Sequence, residues 1–201
     1  QVRRPCPAHP STAEQAGQEV TDRCELTALI DARVRDVADF PKPGVVFKDI
    51  TPLLADPEAF ARVVEAMAAA GRDDDGNVVV DKVVGMEARG FIFAAPVALA
   101  LGAGFVPVRK PGKLPWRTDS VSFELEYASE TLEMHDDALV DGDRVLIVDD
   151  VLATGGTAKA TAELVQRGGG FVHGLAVLME LSFLPGREVC AEVPVTTLRT
   201  I

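Results

Sequence analysis

A parallel β-sheet covered by helices is the fold class this sequence predicts, and three observations carry it. Apolar runs rich in β-branched residues recur at 78–84, 105–108, 145–148 and 171–179. Segments of helical periodicity alternate with them, which is the pattern of a parallel sheet with helices on both faces. The chain has 201 residues, 47% of them apolar, enough for one well-packed α/β domain.

Taken in order, residues 25–37 set Leu26, Leu29, Ile30, Val34 and Val37 at helical spacing and stop before Phe40-Pro41. A second helix is expected over 57–70, with Asp56 as N-cap and Pro57 in the first turn. The Asp-Asp-Asp-Gly-Asn run at 73–77 is a turn, 78–84 a strand, 91–101 an apolar helix and 105–108 a short strand. Residues 110–135 interrupt this rhythm. Pro111, Gly112 and Pro115 open a loop, and 121–127 and 132–135 alternate as the arms of a protruding, flexible hairpin would. A strand at 145–148, a helix at 158–165 and a strand at 171–179 follow. Residues 1–24, with Pro5, Pro7, Pro10 and scattered polar side chains, read as a loose N-terminal extension, and 25–201 as a single domain.

The balance of charge and cysteines narrows the function. A net charge of −11 opposes nucleic-acid and acidic-membrane partners. No apolar run is long enough to span a bilayer, and no secretory leader is expected. Cys6, Cys24 and Cys190 are odd in number and form no metal-binding spacing, so a cytoplasmic location is the expectation.

The most informative stretch is Val145-Leu146-Ile147-Val148-Asp149-Asp150-Val151-Leu152-Ala153-Thr154-Gly155-Gly156-Thr157. A buried strand ends on two carboxylates and turns through small residues into a helix. Free N–H groups of such a turn, with the positive end of the helix dipole, can hold a phosphate. The carboxylates one turn earlier can accept hydrogen bonds from two neighbouring hydroxyls. A ribose 5-phosphate presents that combination. A phosphate loop of the Gly-Lys-Ser/Thr type would need a lysine that is missing here, and a dinucleotide turn would place its acid after the glycines.

Two further loops lie where ligands bind in such sheets, at the carboxyl ends of the strands. Gly85-Met86-Glu87-Ala88-Arg89-Gly90-Phe91 brackets Arg89 with glycines that would let backbone approach an anion. It reads equally as an ordinary strand–helix connection. Arg109, Lys110 and Lys113 gather three cations in an acidic chain, a local reversal suited to a leaving pyrophosphate. The extended, proline-rich stretch 40–54 is either a buried linker or one wall of a pocket.

The Asp-Asp-x-x-Ala-Thr-Gly-Gly-Thr run resembles the phosphoribosyl pyrophosphate (PRPP) motif of type I phosphoribosyltransferases. Phe-Pro-x-Pro-Gly-Val-Val-Phe-Lys-Asp-Ile-Thr-Pro-Leu-Leu, Gly-Met-Glu-Ala-Arg-Gly-Phe, Arg-Lys-x-Gly-Lys-Leu-Pro and Leu-Glu-Tyr are similar to motifs of the adenine phosphoribosyltransferases. The resemblance runs from about Phe40 to Arg167 and implies a Rossmann-like core with an N-terminal hood. It implies that Asp149 and Asp150 bind the ribose hydroxyls, and that Ala153, Thr154, Gly155, Gly156 and Thr157 bind the 5-phosphate. Arg89, Arg109, Lys110 and Lys113 would hold the pyrophosphate, with Mg²⁺ bound mainly through PRPP. A cis peptide is implied between Glu87 and Ala88. The backbones of Val46 and Lys48 would read the adenine edge, with Phe47 on one ring face and Leu152 on the other. Glu126 and Tyr127 would stand at the closed site as catalytic residues beside Arg89, although Ala128 replaces the family's usual glycine. The implied reaction joins adenine to PRPP, releasing AMP and pyrophosphate in purine salvage by a homodimer. Two rivals stand beside it: transfer to hypoxanthine, guanine, xanthine or orotate, and a PRPP-sensing regulator without catalysis.

Overall fold

The computed structural model of the protein describes residues 13–125 and 128–201, which form two compact units dividing between Leu53 and Leu54. In the first unit, helix α1 (Ala13–Arg33) leads into a hairpin of β1 (Arg35–Ala38) and β2 (Val46–Asp49). The helix thus begins inside the stretch read as a loose extension and stops short of Val37. Residues 35–38 leave it because they have a partner strand, with Val37 opposite Phe47 in antiparallel register. An ion pair stands on each face of the hairpin. Arg35 meets Asp49 and Asp36 meets Lys48, each pair directly opposite in register and 2.6 Å apart. Between the strands, Phe40–Pro41 is cis and Gly44, at φ +85°, donates its N–H to the Asp39 carboxylate. The stretch 40–54 is therefore the second arm of a hairpin followed by a helical turn, α2 (Thr51–Ala55), rather than a continuous extended wall.

In the second unit, α3 (Pro57–Ala68) starts as its sequence predicts. Asp56 accepts hydrogen bonds from the N–H groups of Glu58 and Ala59, and Pro57 occupies the first turn. The sheet that follows is five-stranded and wholly parallel, in the order β4-β3-β7-β8-β9. Its strands are β3 (Lys82–Met86), β4 (Gly104–Val108), β7 (Arg144–Leu152), β8 (Phe171–Glu180) and β9 (Val195–Thr200). The strand expected over 78–84 is displaced. Val78 bridges back to Arg72, and the sheet begins only after Asp81, whose carboxylate grips Arg144 at 2.9 Å. β9 closes the sheet edge and was not anticipated.

Helix α4 (Gly90–Leu101) packs on β3 and β7, and α5 (Gly156–Arg167) packs on β7, β8 and a hairpin of β5 (Thr118–Leu125) and β6 (Ala128–His135). The base of that hairpin does not protrude. Val121, Leu132 and Met134 are buried in one core with Val84, Val106, Ile147 and Leu164. A short helix, α6 (Gly186–Val189), stands between β8 and β9.

Candidate active site

Three loops converge at the carboxyl ends of β3, β4 and β7. The first is the end of β7 itself, where regular strand continues through the acidic pair to Leu152. Asp149 accepts a hydrogen bond from the N–H of Asp150 at 2.9 Å. Asp150 is 4% exposed, and its Oδ2 lies 2.9 Å from Nε of Arg89. Burial raises the Asp149 carboxyl well above the usual carboxylate range, and the neighbouring Asp150 charge pushes it further. Burial also raises Asp150, with the Arg89 guanidinium holding that rise back. The pair is thus a concentrated set of acceptors with one cation beside it.

Beyond Leu152 the chain bends through Ala153 and Thr154 to Gly155, which takes φ +83° and opens α5 without any side-chain cap. A helix start left uncapped directs its first N–H groups and its dipole at whatever anion arrives. A small cavity of about 70 Å³ lies here, lined among others by Asp149, Leu152, Thr154 and Thr157. Leu152 itself is 2% exposed. A wider groove of about 940 Å³, flanked by Lys159, Glu163, Phe171 and Cys190, contains none of the predicted site residues.

The second loop connects β3 to α4, and its Glu87–Ala88 peptide is cis, as the resemblance implied. Its glycines serve close packing. A Cβ on Gly85 would stand 2.7 Å from that of Ala94, so only glycine lets α4 lie this close to β3. A Cβ on Gly90 would stand 2.7 Å from Oδ1 of Asp149, so Gly90 admits that carboxylate instead.

The third loop follows β4, and its cations are already organised. Arg109 and Lys113 both reach the Glu87 carboxylate, at 2.9 and 2.6 Å, and that side chain is 6% exposed. Burial would raise the Glu87 carboxyl, but the hydrogen bonds from Lys113 and Arg109 outweigh it and hold the group below its ordinary value. Lys110 pairs with Glu130 at 3.1 Å, and the backbone of Arg109 bridges Glu133 on β6. Glu87, Glu130 and Glu133 were missed as site residues. Only Glu87 had a visible signal, its place inside the Gly-Met-Glu-Ala-Arg-Gly-Phe run. Arg117 turns away to Asp136.

The predicted residues thus form two groups: Arg89 pairs with Asp150 beside Asp149, whereas Arg109 and Lys113 meet on Glu87, with Lys110 on the same loop paired to Glu130. Val46, Phe47 and Lys48 lie on β2 of the first unit. There Phe47 meets Phe40 edge-on at 5.1 Å and the Lys48 ammonium meets Asp36. Glu126 and Tyr127 lie outside the described residues.

Known proteins share both sequence and architecture with this chain. The phosphoribosyl transferase domain model matches residues 52–187. The adenine phosphoribosyltransferase of Nocardioides sp. is 63% identical over 185 residues, 92% of this chain and 98% of that protein. That of Streptomyces coelicolor is 56% identical over 186 residues, 90% of this chain and all of that protein. The crystal structure of the enzyme from Thermoanaerobacter pseudethanolicus superposes with a TM-score of 0.81 at 48% identity, covering 87% of this chain and 99% of that one. The Saccharomyces cerevisiae enzyme, solved with an imino-altritol bisphosphate and adenine, gives 0.82 at 38% identity, again over 87% and 99%. A matching domain over most of the chain, near-full-length relatives and a shared fold lead to one statement: the chain belongs to the adenine phosphoribosyltransferases, within the phosphoribosyltransferase family.

Proposed function

We propose that this chain serves purine salvage by transferring the phosphoribosyl group of PRPP to adenine, forming AMP and releasing pyrophosphate. One observation carries the reading. A half-buried and a buried carboxylate stand near the end of the central strand, a short turn before an uncapped helix start, with a cationic cluster one loop away. Ribose hydroxyls, a 5-phosphate and a pyrophosphate are the three groups such an arrangement can hold at once.

In this reading Asp149 and Asp150 accept from the ribose hydroxyls, and residues Ala153 to Thr157 surround the 5-phosphate. Arg89, Arg109, Lys110 and Lys113 receive the pyrophosphate. The contact of Arg109 and Lys113 with Glu87 keeps the two ammonium and guanidinium groups together until the phosphate oxygens replace that carboxylate. The bond from C1 of the ribose to pyrophosphate oxygen breaks ahead of bond formation to adenine N9, through an oxocarbenium-like state with inversion at C1. The chain's contribution is alignment, stabilisation of the departing charge and exclusion of water. Val46 and Lys48 would read adenine's edge with backbone groups, beside Phe47. A mismatched buried polar pair costs about 1–3 kcal/mol, so two reversed contacts would disfavour hypoxanthine. Glu126 would assist proton transfer at adenine N7, with Tyr127 beside it.

Mg²⁺ belongs to the same proposal. It would be carried in on the phosphate oxygens of PRPP. Bound there, it would neutralise part of the leaving group's charge. A homodimer is supported by Ile92 and Leu99, which expose apolar surface on α4 seven residues apart. A cytoplasmic location is supported by the free thiols of Cys24 and Cys190. No helix of the described residues is long and apolar enough to cross a membrane.

The test is PRPP- and Mg²⁺-dependent turnover of adenine, hypoxanthine, guanine and orotate in parallel, with products identified. AMP from adenine alone is expected. Turnover of another base would overturn the assignment of residues 46–48, and PRPP binding without turnover would favour a regulator.

A further inference from the structure

We infer that the segment from Glu180 to Cys190 shapes the 5-phosphate loop from behind, with Gly186 and Cys190 as positioning residues for the phosphate. The inference rests on the reading of residues 153–157 as the phosphate loop.

The two backbones are in contact with no side chain between them. A Cβ on Gly186 would fall 2.3 Å from the carbonyl oxygen of Ala153 and 2.9 Å from Cγ of Leu152. From the other side, a Cβ on Gly155 would fall 2.8 Å from the carbonyl oxygen of Gly186 and 3.0 Å from Cβ of Val189. The Cys190 thiol donates to the Gly155 carbonyl at 3.8 Å, and burial raises its pKa so that it stays a donor. The N–H of Leu181 donates to the carbonyl of Leu152 at 3.0 Å. The supporting segment is itself tied down. Arg187 Nε donates to the buried carboxylate of Glu180 at 2.7 Å, and the N–H of Cys190 donates to the Gly186 carbonyl.

The consequence follows from the planar trans peptide, in which C=O and the next N–H point in opposite directions. The carbonyls of Leu152 and Ala153 face the 180–190 segment, and that of Gly155, which opens the α5 ladder by accepting from the Lys159 N–H at 2.9 Å, also receives the Cys190 thiol. The N–H groups of Ala153, Thr154 and Gly156 therefore point away from it, to the side where the uncapped start of α5 offers its own. An anion placed there meets amides whose direction is imposed by residues that never touch it.

The test measures binding of PRPP, AMP, inorganic pyrophosphate and adenine to the full chain and to Gly186→Ala and Cys190→Ala, with steady-state kinetics alongside. PRPP and AMP share the 5-phosphate, whereas pyrophosphate and adenine lack it. Gly186→Ala is expected to weaken PRPP and AMP together by roughly tenfold to a hundredfold, as small misplacements of binding groups do. Cys190→Ala should weaken both by roughly three- to tenfold, the range of one lost weak hydrogen bond. In both variants pyrophosphate and adenine should hold within about twofold, and the KM for PRPP should rise more than kcat falls. Equal weakening of all four ligands would mean general loosening and overturn the inference, as would unchanged PRPP and AMP binding. If Gly186→Ala does not fold, Cys190→Ala decides alone. Failure of the unaltered chain to bind PRPP and AMP would sink the phosphate-loop reading before any variant is compared.

Discussion

At the scale of single residues, Asp149 and Asp150 stand where function and stability conflict. Burial raises both carboxyls, the Asp150 charge raises Asp149 further, and Gly90 lacks a side chain so that Asp149 can sit against it. A carboxyl that titrates higher in the folded chain than in the unfolded one costs stability when it ionises. That penalty is absent below the unfolded value near 4 and grows as pH rises toward the folded value. Asp149→Asn keeps an oxygen for the Asp150 N–H and removes the charge. It is expected to raise the thermal midpoint at neutral pH, by an increment that shrinks as the pH is lowered, while PRPP binding falls at least about tenfold through loss of a charge-assisted acceptor. Thermal melts across pH with PRPP titrations check both halves, and a lowered midpoint at pH 7 would contradict the assignment. The raised pair also predicts that PRPP binding fades on acidification earlier than an ordinary carboxylate would allow.

At the scale of elements, the β3–α4 contact sets the second loop in place. Gly85 brings α4 against β3 so closely that a methyl group would meet Ala94 at 2.7 Å and the Phe105 ring at 2.9 Å. Gly85→Ala is expected to cost about 1–3 kcal/mol of stability, the range for overpacking a filled core, read from denaturant midpoints at unchanged slope. Because α4 begins at Gly90, its displacement should also disturb Arg89, so PRPP affinity should fall alongside stability. A neutral substitution would mean that the helix can shift freely. The β5–β6 hairpin shows the same coupling of packing to function. Val121, Leu132 and Met134 anchor its base in the core, and from β6 Glu130 pairs with Lys110 while Glu133 bridges the Arg109 backbone.

For the molecule as a whole, the net charge of −11 coexists with a site that gathers Arg89, Arg109, Lys110 and Lys113. Asp150 holds Arg89, Glu87 holds Arg109 and Lys113, and Glu130 on β6 holds Lys110, so these cations stay gathered despite the overall acidity. The proposed homodimer would use the exposed apolar face of α4. Light scattering is expected to give twice the 21.4 kDa chain mass, and Leu99→Glu, at a position 84% exposed, is expected to shift the protein toward monomer. A dimer unaffected by this change would place the interface elsewhere.

Local chemistry made much of this legible. The Asp149–Thr157 run could be read without coordinates because a strand, two acids and a small-residue turn are consecutive, and consecutive residues need no tertiary partner to be neighbours. The same holds for Asp56 and Pro57 at the start of α3, and for the alternation of strands and helices that predicts a parallel sheet. What escaped the sequence depends on partners distant along the chain. Residues 35–38 have a helical pattern but become a strand because Val46–Asp49 pairs with them, and Val78 leaves the sheet for Arg72. Glu87 gains its role only when Arg109 and Lys113 arrive from the next strand. Gly186 matters only because the fold lays it against Ala153. The sequence by itself determined the fold class and the family and pointed to Ala153–Thr157 as the proposed phosphate loop, since each is written in contiguous residues. Only the tertiary structure decided which charges pair and which glycines are close contacts, because those depend on distances between segments that the order of residues does not encode.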